Sequence, residues 1–389
     1  MIYLDSAATS FQKPPEVRAA VLRAMERCAS PGRGGYREAM TGAETVYRCR
    51  ERCADFFDCA PEQVVFTSSA THSLNIAIKS MVGRGDRVVV SAFEHNAVMR
   101  PLAAIGAAIV VAESKLFDRA GTLAAFRETV TPDTKAVICT HVSNVFGFIL
   151  PLREISALCR ERNVPLIVDA AQSAGILPLS LRELGAAYLA MPGHKGLYGP
   201  QGTGVLICGQ VPEQTLLEGG TGSLSQQLGM PDFLPDRLEP GTANVPGIAG
   251  LEAGLRFVQR TGLREIAERE AAMIRHAAKR LERMGRIRVF SGPDQSGVLS
   301  VQFADHDCET AAELLARKGI AVRAGLQCAP LAHAAAGTLE TGTVRLSTSA
   351  FSTERDIDSF LTAAAELCGE RESRKKAAGC PCNRRRNQL

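Results

Sequence analysis

No run of eighteen apolar residues occurs anywhere in the chain, so nothing in it reads as a membrane-spanning helix. Charge of one sign is also missing. The 45 basic residues stand against 41 acidic ones, a net of +4, which provides no basic field to hold nucleic acid as the main partner. A disulfide framework is absent as well, since the 12 cysteines are scattered without paired spacing. Cys49 and Cys53 lie four apart on a predicted helix and could begin a metal site, but no second ligand pair follows. Burial as small hydrophobes is the better reading, and no metal is expected. No internal repeat is visible, and no secretion signal is expected, since the chain opens on the strand-like Ile2-Tyr3-Leu4-Asp5. A cytoplasmic protein that neither enters a membrane nor binds nucleic acid is expected.

What the sequence does contain is ample core material: 389 residues, 46% of them hydrophobic, enough for two or three domains. One stretch organises the rest. Met191 to Gly204 holds a single lysine, Lys195, among glycines and prolines. A lysine in a stiff loop can meet a carbonyl and form a Schiff base. Upstream, Pro165-Leu166-Ile167-Val168 is an apolar run ending on Asp169. Such a run reads as a buried parallel strand, and ligands of open α/β sheets sit beyond the carboxyl ends of such strands. By itself Lys195 would pass for an ordinary loop lysine. With Asp169 it matches the lysine and the pyridinium partner of a pyridoxal phosphate site.

Apolar runs and helical spacing alternate on both sides. Strands are predicted over 64–66, 87–91, 108–111, 136–140, 166–169, 186–191 and 204–208, with helices over 14–28, 41–57 and 152–162, one running through residue 81, one after residue 96 and one around residue 124. That alternation predicts an α/β fold with a mostly parallel sheet. Small hydroxyl residues at Thr67-Ser68-Ser69, where a strand turns into a helix, suit either a plain helix cap or an anion. Residues 219–244 are rich in Gly, Pro and Ser, a long irregular segment of the kind that carries function. Two long helices, over 248–260 and 263–284, then lead into a smaller α+β unit with strands over 287–290, 298–303, 320–322 and 344–346. From residue 371 the chain turns polar and basic without apolar periodicity, and a disordered tail is expected.

Several segments together resemble the class V aminotransferase group, and within it the cysteine desulfurases and selenocysteine lyases. They are Leu4-Asp5-Ser6-Ala7-Ala8-Thr9, Glu94-His95-Asn96-Ala97, His141-Val142-Ser143-Asn144-Val145-Phe146-Gly147, Asp169-Ala170-Ala171-Gln172-Ser173-Ala174-Gly175, Gly193-His194-Lys195, Gly241-Thr242-Ala243-Asn244 and Arg323-Ala324-Gly325-Leu326-Gln327-Cys328-Ala329. They fall in family order over nearly the whole chain. The resemblance implies a fold type I pyridoxal phosphate enzyme. It would have a large domain over 13–245 with a mostly parallel seven-stranded sheet, a small domain from 1–12 and 246–370, and the tail over 371–389.

The resemblance also assigns roles. Lys195 becomes the Schiff-base lysine and proton-moving base, with Asp169 on the pyridine nitrogen, Gln172 on the phenolic oxygen and His95 stacked on the ring and moving protons. Ala70, Thr71 and His194 serve the cofactor phosphate. Thr242 reaches the phosphate of a partner subunit, which implies a homodimer. Asn144 lies near both cofactor and substrate, Ala8 near the substrate, and Arg345 clamps the substrate carboxylate as a bidentate fork.

Cys328 decides the subtype, since a desulfurase needs a thiolate to attack the substrate sulfur and keep it as a persulfide. Its setting between Arg323-Ala324-Gly325 and Ala329-Pro330 resembles the subgroup with a short catalytic loop. The implied activity is removal of sulfur from L-cysteine, giving L-alanine and a sulfur for an acceptor protein or thiol. Three rivals stand beside it: a selenocysteine lyase acting on L-selenocysteine, a class V aminotransferase in which Cys328 is incidental, and a sulfur carrier without catalysis. The chain departs from the family pattern at three places: Leu326-Gln327 where histidines often precede the cysteine, Pro192 where a serine is common, and His72 where an acidic residue is frequent. In the tail, Cys380 and Cys382 beside Arg384-Arg385-Arg386 read either as a sulfur relay or soft-metal site, or as incidental thiols.

Overall fold

The computed structural model of the chain describes residues 1–32 and 34–378. The tail cysteines Cys380 and Cys382 lie outside the described residues. The strands, in chain order, are β1 (Ile2–Tyr3), β2 (Val64–Thr67), β3 (Arg87–Ser91), β4 (Ala108–Ala112), β5 (Thr134–Thr140), β6 (Leu166–Asp169), β7 (Tyr188–Pro192), β8 (Gly204–Cys208), β9 (Ile287–Phe290), β10 (Val298–Phe303), β11 (Ile320–Ala321) and β12 (Val344–Ser347).

Seven of them form the expected mostly parallel sheet, in the order β2-β8-β7-β6-β5-β3-β4. Only β8 runs against its neighbours. Helices cover both faces, so the strands are apolar on both sides: Val88, Val89 and Val90 of β3 are all fully buried. Strands β2, β3, β5, β6 and β7 run in one direction and so end along one edge, where Asp169 at the end of β6 meets Ala70, His95, Asn144 and Lys195 from the segments that follow the other four. Open α/β sheets bind ligands along this edge.

A second layer holds the antiparallel sheet β12-β10-β9. The N-terminal segment joins it: β1 pairs parallel with β11, and Asp5 bridges to Ser347. Leu4 is buried in its core with Leu281, Leu299, Leu346 and Phe360. Helix Val245–Thr261 packs along helices Pro15–Arg27 and Arg37–Phe57, on the flank of the larger layer. Residues 219–244 are irregular apart from one short turn of 3₁₀ helix at Asp236–Leu238, and Gly241 N donates to Gly220 O at 2.7 Å to close the segment on itself.

Three elements differ from the sequence expectation. Helix Arg37–Phe57 begins four residues early, and helix Glu354–Ala378 runs past residue 371, where Arg, Glu, Lys and Ala are all good helix formers. A short helix, Pro330–Ala336, follows Cys328; its leading Pro330 and closing Gly337 (φ 66°) are ordinary helix boundary signals. Cys49, Cys53, Cys139, Cys159, Cys208 and Cys308 are buried, whereas Cys328 is exposed. No helix among the described residues is long and apolar enough to cross a membrane.

Candidate active site

At that edge lies a cavity of about 110 Å³. Of the residues named above, it is lined by Ala70, Thr71, His95, Asn144, Asp169, Gln172, His194 and Lys195, and also by Ser69 and Thr140. Neither Arg345 nor Ala8 lines it; Arg345 reaches its wall through Asn144, whose carbonyl accepts from Nη1 at 2.9 Å. Thr242 is exposed on the irregular segment and belongs to no wall of the cavity.

One end is a helix start. Ser69 caps helix Ala70–Lys79, its Oγ accepting from His72 N at 3.1 Å. That leaves the first amides of the helix with no intrahelical partner, a natural anion seat. The turn sits tight against β8: a Cβ on Gly204 would lie 2.6 Å from Thr67 Oγ1 and 2.7 Å from the Ser69 carbonyl carbon. Ser68 is turned away and engages His72 Nδ1 at 3.3 Å. Pro192 has no hydroxyl to offer an anion; of the two serines in the turn before the helix, Ser69 is the one that lines the cavity.

Asp169 ends β6, 3% exposed, with Oδ1 accepting from Ala171 N at 2.9 Å. Burial pushes its carboxyl up, against the Ala171 amide and the Lys195 charge. Lys195 follows β7 in a turn whose backbone is gripped from the N-terminal segment. His194 O accepts from Ser10 N at 3.0 Å, Ser10 Oγ at 2.9 Å and Lys13 Nζ at 3.0 Å. Burial lowers the Lys195 amine to about 8, with Asp169 opposing the shift. His194 and His95 are both lowered to about 4, chiefly by burial and then by the Lys195 charge, so both rings are neutral near pH 7. His95 Nδ1 accepts from Ala97 N at 3.0 Å, which places the proton of the neutral ring on Nε2.

This donor set fits pyridoxal phosphate. A buried carboxylate suits a ring N–H, an amine of lowered basicity suits the aldehyde, and the helix start suits the phosphate, with His194 beside it. Gln172 has one amide proton on Ala7 O, 2.9 Å away.

Cys328 borders an adjoining pocket of about 340 Å³, which shares Thr71, His95 and Ala97 with the cavity. Its loop is held, not loose. Asn144 Nδ2 donates to Gln327 O at 2.8 Å, and Asn96 N donates to Cys328 O at 2.7 Å. Gln327 Nε2 donates to Thr343 O at 3.1 Å, and its Oε1 pairs with His333 Nε2 at 3.0 Å. These bonds fix two consecutive residues in left-handed conformation, Gln327 (φ 43°) and Cys328 (φ 58°). Left-handed backbone costs a non-glycine residue roughly 1–2 kcal/mol. Four hydrogen bonds at about 1 kcal/mol each are enough to offset two such residues. The sequence assigns Gln327 and His333 no role; their partners come from separate elements. Gln327→Ala should leave cofactor uptake unchanged and lower turnover about tenfold, the scale of a positioning loss of about 1.4 kcal/mol. Gln327→Gly, which tolerates the backbone angle but lacks the brace, should fall as far; kcat and KM of both variants check this.

Arg345 on β12 is 2% exposed. Nη2 donates to Asp5 Oδ1 at 2.8 Å and Nη1 to Asn144 O at 2.9 Å, while Nε has no partner among the described residues. Asp5 also takes Arg323 Nη2 at 2.8 Å. Two guanidinium groups on one carboxylate leave a net positive charge beside the cavity, as a substrate carboxylate requires.

A family model described as Aminotransferase class-V matches residues 2–360. A "Probable cysteine desulfurase" of Methanothermobacter thermautotrophicus is 31% identical, over 95% of each chain. A cysteine desulfurase of Klebsiella pneumoniae is 32% identical, over 85% of this chain and 84% of the other. Among solved structures, the apo cysteine desulfurase of Thermococcus onnurineus superposes with a TM-score of 0.85, at 28% identity and 95% coverage of each chain.

Proposed function

The chain belongs to the class-V aminotransferase family, among its cysteine desulfurases, and on that premise we propose that it is a pyridoxal phosphate-dependent cysteine desulfurase that leaves the sulfur of L-cysteine on Cys328. The observation that carries this reading is the junction at His95. A single neutral ring lines both the cavity of Lys195 and Asp169 and the pocket that Cys328 borders. An aminotransferase has no use for a braced thiol there.

Bound in the cavity, pyridoxal phosphate would supply an aldehyde for amines and a ring that accepts electrons. Asp169 would hold its ring nitrogen, the helix start at Ala70 and Thr71 with His194 its phosphate, Gln172 its phenolic oxygen, and His95 its face. The remaining steps belong to the chain's own groups. The pair Arg345 and Asn144, with Ala8 close by, orients the carboxylate of L-cysteine. Lys195 takes the α-proton and returns protons to carbon. Cys328 as thiolate attacks the substrate sulfur; the S–S bond forms as the C–S bond breaks, and the carbon is protonated. In balance, enzyme thiol and L-cysteine give enzyme persulfide and L-alanine. His95, with its proton on Nε2, lies where it can pass a proton between sulfur and carbon.

The pocket at Cys328 also carries Lys79 and Arg100, a basic rim suited to the thiolate of an acceptor thiol or protein. The described cysteines are all free thiols. The test is product analysis of the holoenzyme. With a reducing thiol present to release the persulfide sulfur as sulfide, L-alanine and sulfide should form from L-cysteine in equal amounts without a keto acid, and selenide release exceeding sulfide release by orders of magnitude would favour the selenocysteine reading instead.

A homodimer completes the proposal. Leu217, Leu224, Leu228 and Phe233 are exposed on the segment that carries Thr242, and Tyr36, Met40 and Tyr47 are exposed at the start and along the first turns of helix Arg37–Phe57. Exposed apolar groups in this number call for a covering partner, and a second copy would bring Thr242 to the neighbouring phosphate. Light scattering of the holoenzyme should give twice the chain mass. A monomer with full cofactor occupancy would exclude this arrangement.

A further inference from the structure

Lys195 and Gln172 line not one cavity but two. The second, about 40 Å³, is bounded among others by Ser6, Lys195, Tyr198, Glu270, Ser296 and Thr348. It receives nothing in the reaction described above. Three polar atoms at its wall are buried and have no hydrogen-bond partner among the described residues: Ser6 Oγ, Glu270 Oε1 and Ser296 Oγ. Their side chains come from the N-terminal segment, helix Leu263–Glu282 and the turn before β10, so the convergence is tertiary. Each unsatisfied buried group costs about 1–3 kcal/mol. Three around one space mean that the space is polar. At roughly 10–15 Å³ per water, it has room for a small cluster.

We propose that this cavity holds a fixed water cluster joining Glu270 to Lys195, and that Glu270 is the proton reservoir of the lysine amine. Glu270 is 4% exposed, on the buried face of its helix. Of the neighbouring charges, Arg269 favours the carboxylate, but less than burial opposes it. Arg269, next to it on the helix, donates to Ser352 O at 3.0 Å. The Tyr198 hydroxyl accepts from Ala350 N at 2.8 Å and is itself raised, so it stays neutral. The pair Asp5 and Arg345 and the Arg323 guanidinium act on Lys195. Burial pushes the Glu270 carboxyl up to about 8, while burial pulls the Lys195 amine down to about 8. A carboxylic acid and an amine matched in this way exchange a proton through water at little cost in free energy. When Lys195 has given a proton to carbon, the Glu270 acid passes its proton to water and water passes one to the amine. The proton that Cys328 loses on forming its thiolate, returned through solvent and the water cluster, restores the Glu270 acid. Conversion of L-cysteine to L-alanine removes one proton from carbon and adds two, so one proton beyond the α-proton must be held ready near the amine.

The inference rests on Lys195 as the working base, and the test separates the two claims. A high-resolution crystal structure of the full chain should show ordered water bonded to Glu270 Oε1, Ser6 Oγ and Ser296 Oγ; a dry cavity overturns the proposal. Near neutral pH, infrared spectra should show a protonated carboxyl band that Glu270→Gln removes; a band unchanged in that variant overturns it. In the holoenzyme, loss of α-deuterium from labelled L-alanine to solvent should slow about tenfold in Glu270→Gln, below the roughly 10²-fold minimum of a direct acid–base group. Ser296→Ala, which removes one anchor of the cluster and keeps the carboxyl, should slow it less. Equal exchange in wild type and Glu270→Gln overturns the reservoir. No exchange in the wild type would instead overturn Lys195 as the base.

Discussion

Cys328→Ala should abolish desulfuration, lowering L-alanine formation from L-cysteine on the order of 10³-fold or more, the scale of losing a covalent nucleophile. Binding should survive. Arg345, Asp169 and Lys195 sit in or beside the cavity, whereas the Cys328 side chain belongs to the adjoining pocket. The hydrogen bonds that hold its loop also survive, because they use the backbone carbonyls of Gln327 and Cys328 and the Gln327 side chain. A left-handed alanine is no worse placed than a left-handed cysteine. The loss therefore falls on kcat, with the KM for L-cysteine changed little, and steady-state kinetics of the variant read both. L-Selenocysteine should suffer less, since the weaker C–Se bond lets selenium leave as the neutral element, its bonding electrons left on carbon, with less need of thiolate attack. Retention of wild-type desulfuration by Cys328→Ala would remove the nucleophile from this residue.

Lys195→Ala should lose the covalent hold on pyridoxal phosphate and, with it, turnover, again on the order of 10³-fold or more. A spare amine close by is Lys13, whose Nζ donates to Ser10 Oγ at 2.7 Å and to His194 O at 3.0 Å. Occupied in this way, it does not substitute. Borohydride reduction of the wild type should mark the peptide that contains Lys195, and the variant should carry no mark. A mark on another lysine in the variant would show that the assignment is wrong. The sign of the pH dependence follows from the lowered amine. The neutral form attacks the aldehyde, and its fraction grows as pH rises through about 8, so capture by the ligand-free chain should level off above that pH. An unshifted lysine would keep gaining up to its ordinary value of 10.5.

How much of this can be read in the sequence depends on whether the signal is local. Strands β3 and β6 fall where the apolar runs 87–91 and 166–169 place them, because a strand buried on both faces is apolar throughout. Asp169 and Lys195 are legible for the same reason: a strand end and a Gly-rich loop are marked by their own neighbours. The Cys328 loop is only half legible. Its position is clear, but its rigidity comes from Asn144, Thr343 and His333, far apart in the chain. Asn144, by resemblance a cofactor and substrate residue, also spends an amide proton on the loop. Arg345 reads in the sequence as a free fork, and the structure gives one of its arms to Asp5 and the other to the Asn144 carbonyl. Glu270 does leave a trace. It lies in register with Ile266, Met273 and Ile274, a carboxylate on the apolar face of a helix. Ser6 and Ser296, which meet it across the fold, leave none.

The most direct test is mass spectrometry of the full chain, with its cofactor, after brief exposure to L-cysteine. One added sulfur, lost on reduction by a thiol, should appear on the peptide that contains Cys328. Sulfur on a different cysteine at the rate of alanine formation, or alanine formed with no sulfur on the protein at all, would refute Cys328 as the residue that takes the sulfur.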